Sequence, residues 1–91
     1  MHFSDFMGSA LFRAPSPAVG YLSQINDWAS RHGKLEWQVV MNPTAQPHLP
    51  EYVATPIFNG EMLYNCKAIG PSVRTAKEAA AHKMAVILMG V

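Results

Sequence analysis

Cys66-Lys67-Ala68-Ile69-Gly70-Pro71-Ser72-Val73-Arg74-Thr75-Ala76-Lys77-Glu78-Ala79-Ala80-Ala81 is the stretch that sets the architecture. It begins as the end of a strand: small Cys66, Ala68 and Gly70 alternate with Lys67 and Ile69, the period-two pattern of a half-buried strand. Gly70-Pro71-Ser72 stops it. Ser72 can offer its side-chain oxygen to the orphan N–H groups of a following helix, the N-cap role. Val73 to Met89 is predicted as that helix, with Ala76, Ala80, Met84, Ile87 and Leu88 as its buried stripe. The alanines in the stripe predict a close approach of helix to sheet.

Upstream of this stretch, Asn59-Gly60 is the strongest hairpin signal in the chain. It separates two predicted strands, Glu51 to Asn59 and Glu61 to Ile69. Pro56 cannot donate to a ladder, so the first of these is expected to bulge or to leave that position unpaired. Leu35 to Met41, with Leu35, Trp37 and Val39 alternating against Glu36, Gln38 and Val40, is a third predicted strand. Asn42 to Pro50 carries three prolines and reads as an irregular loop. Ala18 to His32 has Tyr21, Leu22, Ile25, Trp28 and Ala29 on one stripe, the pattern of an amphipathic helix. Ser16 is its candidate N-cap, Pro17 suits its first turn and Gly33 its end. Residues 1–16 read as an N-terminal extension: a flexible leader is favoured, and a short amphipathic helix carrying Phe3, Phe6, Met7, Ala10 and Leu11 is the alternative. Residues 17–91 then form one domain of the α+β class. Its order is α-β-β-β-α, a three-stranded antiparallel sheet with two helices packed on one face.

The totals agree with one small domain. Ninety-one residues, 49% of them hydrophobic, suit a single core. No apolar run is long enough for a membrane helix, and no secretory leader is expected. Cys66 is the only cysteine, so the fold needs no disulfide, and an intracellular site, cytoplasmic or nuclear, is the default. Zinc or another metal is not expected, because His2, His32, His48 and His82 are scattered and no cysteine pair exists. Cys66 reads as a packed residue with no positioned His–Asp partners. No phosphate loop or catalytic carboxylate pair appears, so no catalytic residue, cofactor or small-molecule substrate is assigned. Seven basic residues face six acidic ones, for a net charge of +1. That balance alone does not suggest nucleic acid; the placement of the cations matters more.

The opening stretch resembles the signature of the double-stranded-RNA-binding domain family: small residues alternating on the third strand, then Ser-Lys-Lys-x-Ala-Lys-x-x-Ala-Ala. Ser72, Arg74, Ala76, Lys77, Ala80 and Ala81 match it, and Val73 stands where the family has a lysine. Asn26-Asp27-Trp28-Ala29 resembles the first-helix segment, Trp37-Gln38-Val39-Val40 the first strand, and Pro47-His48 the loop that follows. The likeness covers about residues 17–91. It implies a non-enzymatic module that binds duplex RNA across about 16 base pairs, through two minor grooves and the phosphates between them.

By that resemblance three patches face the RNA. On the first helix, Asn26 and Asp27 meet 2′-hydroxyls and base edges, with Ser23 one turn back. A carboxylate can accept from a 2′-hydroxyl, which DNA lacks. In the loop, Pro47 stiffens the chain and His48 donates into a minor groove; Ala45 and Gln46 replace the family's glycine. At the start of the second helix, Arg74 and Lys77 lie three residues apart at a terminus that already favours anions, so both face major-groove phosphates. The alternative is a module of the same fold that joins a protein partner or a second copy, with weak or lost RNA binding. Val73, the near-zero net charge and the apolar Val86 to Val91 tail motivate it. Such domains also accompany larger RNA-processing enzymes.

Overall fold

A computed structural model describes residues 2–14, 20–43 and 48–90. In chain order these form α1 (Tyr21–His32), β1 (Leu35–Met41), β2 (Tyr52–Phe58), β3 (Glu61–Met62), β4 (Ala68–Gly70) and α2 (Val73–Met89). β2 is central. β1 pairs with it antiparallel in unbroken register from Leu35↔Phe58 to Met41↔Tyr52. β3 and β4 share its other edge, also antiparallel. Both helices pack on the face that buries Ala54, Pro56 and Phe58. The order is therefore α-β-β-β-α, with the expected third strand split into two pieces.

The split coincides with Pro56. Ile57 and Phe58 pair with Met62 and Glu61, while Tyr52, Val53 and Ala54 pair with Gly70, Ile69 and Ala68. Residues 63–67 are thus left opposite Thr55 and Pro56. The Pro56 carbonyl accepts from the Leu63 N–H at 2.9 Å, so this residue's backbone groups point to the split edge. Its missing N–H falls where the ladder is already interrupted. The surplus residues wind into a 3-10 turn, Tyr64–Cys66. Between the two expectations for Pro56, a bulge is corrected. Its register with Trp37 is intact, and its unpaired side faces β3 and β4.

α2 has the bounds its sequence predicts. The Ser72 oxygen accepts from the Thr75 N–H at 3.1 Å, and Gly90, left-handed at φ 77°, closes the other end. Ala76, Ala80, Met84 and Leu88 are fully buried. The helix comes so near β4 that a Cβ on Gly70 would lie 2.6 Å from the Ala76 nitrogen. Alanine on one side and glycine on the other are what permit that approach. Asn59 and Gly60, both at positive φ (50° and 82°), make the two-residue turn from β2 to β3.

One expectation near the N-terminus is corrected. Within the helix expected from Ala18, Gly20 is instead extended and holds the N-cap position, so α1 begins at Tyr21; Ser16, Pro17 and Ala18 lie outside the described residues. Phe3–Phe6 is a 3-10 turn, and Phe3 is buried. Its ring meets those of Trp28 and Phe58 edge-on, with centroids 6.0 and 5.9 Å away. Phe6 meets Trp28 at 5.2 Å. Gly8 and Ala10 then donate to the Ile87 and Leu88 carbonyls in the last turn of α2 at 3.2 and 3.0 Å, the Ile87 carbonyl also accepting from the Gly90 N–H at 3.1 Å. The buried Phe3 ring supplies about 1.5–3 kcal/mol and the half-buried Phe6 ring less, which offsets part of the entropy lost in ordering the segment.

Candidate nucleic-acid interface

The sheet fixes which parts of the chain meet at one end. Met41, Tyr52 and Gly70 lie in one row across β1, β2 and β4. The loop from β1 to β2 and the start of α2 both leave from that row. The loop is closed at its base by Asn42, whose N–H donates to the Glu51 carbonyl at 2.8 Å and whose side-chain amide donates to the Glu51 carboxylate at 2.8 Å. His48 is exposed in this loop. Pro47 lies outside the described residues.

Arg74 and Lys77 sit in the first two turns of α2, after the Ser72 cap. Arg74 is exposed and Lys77 half-buried. The Lys77 Nζ lies 5.9 Å from the centroid of the Trp37 ring on β1. That contact anchors the side chain and leaves its charge at the helix's positive end, where α2 favours anions. Val73, 41% exposed, offers a hydrocarbon surface in the same turn.

α1 reaches this end from the side. The Glu78 carboxylate, one turn after Arg74 and so about 6 Å along α2, accepts from the N–H groups of Tyr21 and Leu22. The Tyr21 ring stacks on His82 with centroids 4.7 Å apart. At the other end, α1's His32 meets Phe6 at 5.3 Å, and residues 8–10 bond the last turn of α2. The helices therefore run side by side in one direction, and α1 starts beside the cation-bearing turns of α2.

Ser23, Asn26 and Asp27 are all exposed on α1. Asp27 is not idle: its carboxylate pairs with Arg31 at 3.1 Å. Both partners are largely in water, so the pair is worth only about 0.3–0.5 kcal/mol and is readily exchanged for another donor. Arg31 adds a cation beside Asp27 that the sequence reading did not single out, although the i, i+4 spacing carries it. Gln24 was missed as well. Its side chain accepts from the Arg13 N–H at 2.7 Å and donates to the Arg13 carbonyl at 3.0 Å, so the N-terminal segment runs back along this flank of α1. Glu78 and Trp37 are further participants that no local motif announces.

Cys66 is fully buried. Burial pushes its thiol up from 9.0 to about 11, with the Lys83 charge pulling weakly the other way. Such a thiol is protonated at neutral pH and a poor nucleophile. Among the described residues, no group of three or more His, Cys, Asp or Glu could share a metal ion, and no helix is long and apolar enough to cross a membrane. No family model, curated protein or solved structure matches this chain.

Proposed function

We propose that this chain is a double-stranded-RNA-binding module that grips its ligand by shape, 2′-hydroxyls and phosphates, largely without regard to sequence, and performs no chemistry on it. One observation carries the reading: Arg74 and Lys77, at the positive start of α2, adjoin both the start of α1 and the sheet end from which the His48 loop projects. Duplex RNA is long, regular and polyanionic. A protein that reads it needs several polar patches at set spacings more than it needs a pocket. Arg74 and Lys77 take the major-groove phosphates; Ser23, Asn26, Asp27 and the Pro47-His48 loop take the flanking minor grooves. The motif resemblance supports the same assignment. An intracellular location, cytoplasmic or nuclear, and a role beside a larger RNA-processing enzyme go with it.

A titration with duplex RNA, duplex DNA and single-stranded RNA at two salt concentrations tests this. Duplex RNA of about 16 base pairs or more should bind in a salt-dependent way and shift amide signals of α1 and the start of α2. Equal affinity for B-form DNA refutes it.

A second reading, a protein-interaction or self-association module, is favoured by one feature of the sheet. Val40, Val53 and Ile69 form a row across the face the helices leave bare, and Val40 and Ile69 are 51% and 57% exposed. Sedimentation over a range of concentrations tests it: a concentration-independent monomer removes self-association.

A further inference from the structure

The start of α1 is held by a side chain from 56 and 57 residues further along the chain. The four N–H groups of a helix's first turn have no partner inside the helix, and a local Ser, Thr, Asp or Asn normally supplies one. Here the N-cap position is Gly20, which has no side chain and makes no cap bond. Glu78 does the work instead: one carboxylate oxygen takes the Tyr21 N–H at 2.5 Å and the other takes the Leu22 N–H at 2.8 Å. A Cβ on Gly20 would lie 2.3 Å from the nearer of these oxygens, so the glycine is what admits the carboxylate. The parallel stack of Tyr21 on His82, with rings 3° from coplanar, adds a second contact one turn along α2. The bonds are charge-assisted and point into the helix's positive end, the strongest setting for such a cap.

We propose that Glu78 is a positioning residue for duplex RNA, which sets the spacing between the minor-groove face of α1 and the phosphate-facing cations of α2. This inference rests on the function proposed above. A duplex presents its minor groove and the phosphates beyond it at fixed distances. Two modest patches add their binding energies only when their separation matches that distance, since the second contact then forms at high effective concentration. Arg74 lies one turn before Glu78 on α2, and Ser23 lies immediately after the two amides Glu78 holds on α1. The carboxylate thus ties the two patches at the point where they come together.

The test compares Glu78→Ala, Glu78→Gln and Gly20→Ala with Leu88→Ala, which loosens the core away from this contact, at a temperature where circular dichroism shows all to be folded. Each is made in the wild-type chain and in Arg74→Ala, which lacks a cation of the α2 patch, and is titrated with a duplex RNA of about 16 base pairs. Glu78→Ala and Gly20→Ala are expected to lose about tenfold in the wild-type background and less than about twofold in Arg74→Ala, because only the linkage between patches is gone. Glu78→Gln keeps one acceptor oxygen and should fall between. Leu88→Ala should change neither. Equal losses in both backgrounds, or none for Glu78→Ala, overturn the inference. Residual dipolar couplings read the α1–α2 angle with no RNA present, and an unchanged angle in Glu78→Ala overturns it too. A wild-type chain that binds no duplex RNA overturns the functional reading by itself, and the hold of Glu78 on α1 is then decided by the couplings.

Discussion

Replacing Lys77 and Arg74 one at a time separates two contributions that a double substitution would merge. Lys77 is half-buried, with its Nζ 5.9 Å from the Trp37 centroid, whereas Arg74 is exposed. Lys77→Ala therefore removes a charge proposed to face phosphate and also the cover over an aromatic ring. The cation–π contact is worth about 0.5–1 kcal/mol at such a site, and the methylene stem packed with it adds a few tenths more. A loss of about 1 kcal/mol lowers Tm by about 4–8 °C in a domain of this size. Arg74→Ala touches no such feature and should stay within about 0.5 kcal/mol of wild type. On RNA the two should behave alike. Each lost phosphate contact lowers the slope of log affinity against log salt by about one unit, which is roughly threefold in affinity between 50 and 200 mM salt. Thermal melts give the first quantity and fluorescence-anisotropy titrations at both salts give the second. Lys77→Met, which keeps the stem and deletes the charge, should recover part of the Tm but none of the slope. If both alanine variants keep the wild-type slope, these cations do not face phosphate, and the proposed interface is wrong.

Other substitutions probe the scaffold. Gly70→Ala puts a methyl group 2.6 Å from the Ala76 backbone nitrogen; overpacking of that kind costs about 1–3 kcal/mol, and a denaturant midpoint at or above wild type would contradict the close approach of α2 to β4. Ser72→Ala removes the cap on the Thr75 N–H and should cost about 1 kcal/mol by chemical denaturation, with loss of hydrogen-exchange protection confined to the first turn of α2. Phe3→Ala should cost about 3 kcal/mol or more, since the ring is buried against Trp28 and Phe58; a change under about 0.5 kcal/mol would mean the N-terminal turn is not part of the core. The Cys66 thiol, raised from 9.0 to about 11 in the folded chain, binds its proton more tightly folded than unfolded. Its contribution to stability is complete below pH 9 and is lost as pH rises toward 11. Denaturation midpoints should therefore fall across that window in wild type and fall less in Cys66→Ala. Alkylation of the native thiol at pH 8 should be far slower than in urea.

The bare face of the sheet offers a comparison for the interaction reading. Val40, Val53 and Ile69 stand in a row, yet Glu36 and Gln38 flank that row on β1 and Lys67 precedes β4. Polar edges around a short apolar row are common on the open face of an antiparallel sheet. Placing a charge at Val40 or Ile69 should leave RNA binding unchanged and would remove any self-association seen in sedimentation.

What the residues announced on their own was whatever depends on a few neighbours in the chain. Ser72 and the period of Ala76, Ala80, Met84 and Leu88 set the start and buried face of α2, because capping and helical periodicity act within one or two turns. Asn59-Gly60 made its turn because both residues tolerate positive φ. Alternation placed β1 to the residue, and the motif order placed the candidate cations at a helix start. The loop residue Pro47 lies outside the described residues. What needed the tertiary structure was every feature whose partner is distant in sequence. The Glu78 cap on α1, the Phe3 turn on Trp28 and Phe58, and the Lys77–Trp37 contact each join segments about 25 to 57 residues apart. The split third strand belongs with them, since its cost is small only opposite the one residue of β2 that has no donor, Pro56. Local dihedral preferences and periodicities are written in the order of residues, but long-range hydrogen bonds and ring contacts arise only once packing has chosen which segments meet.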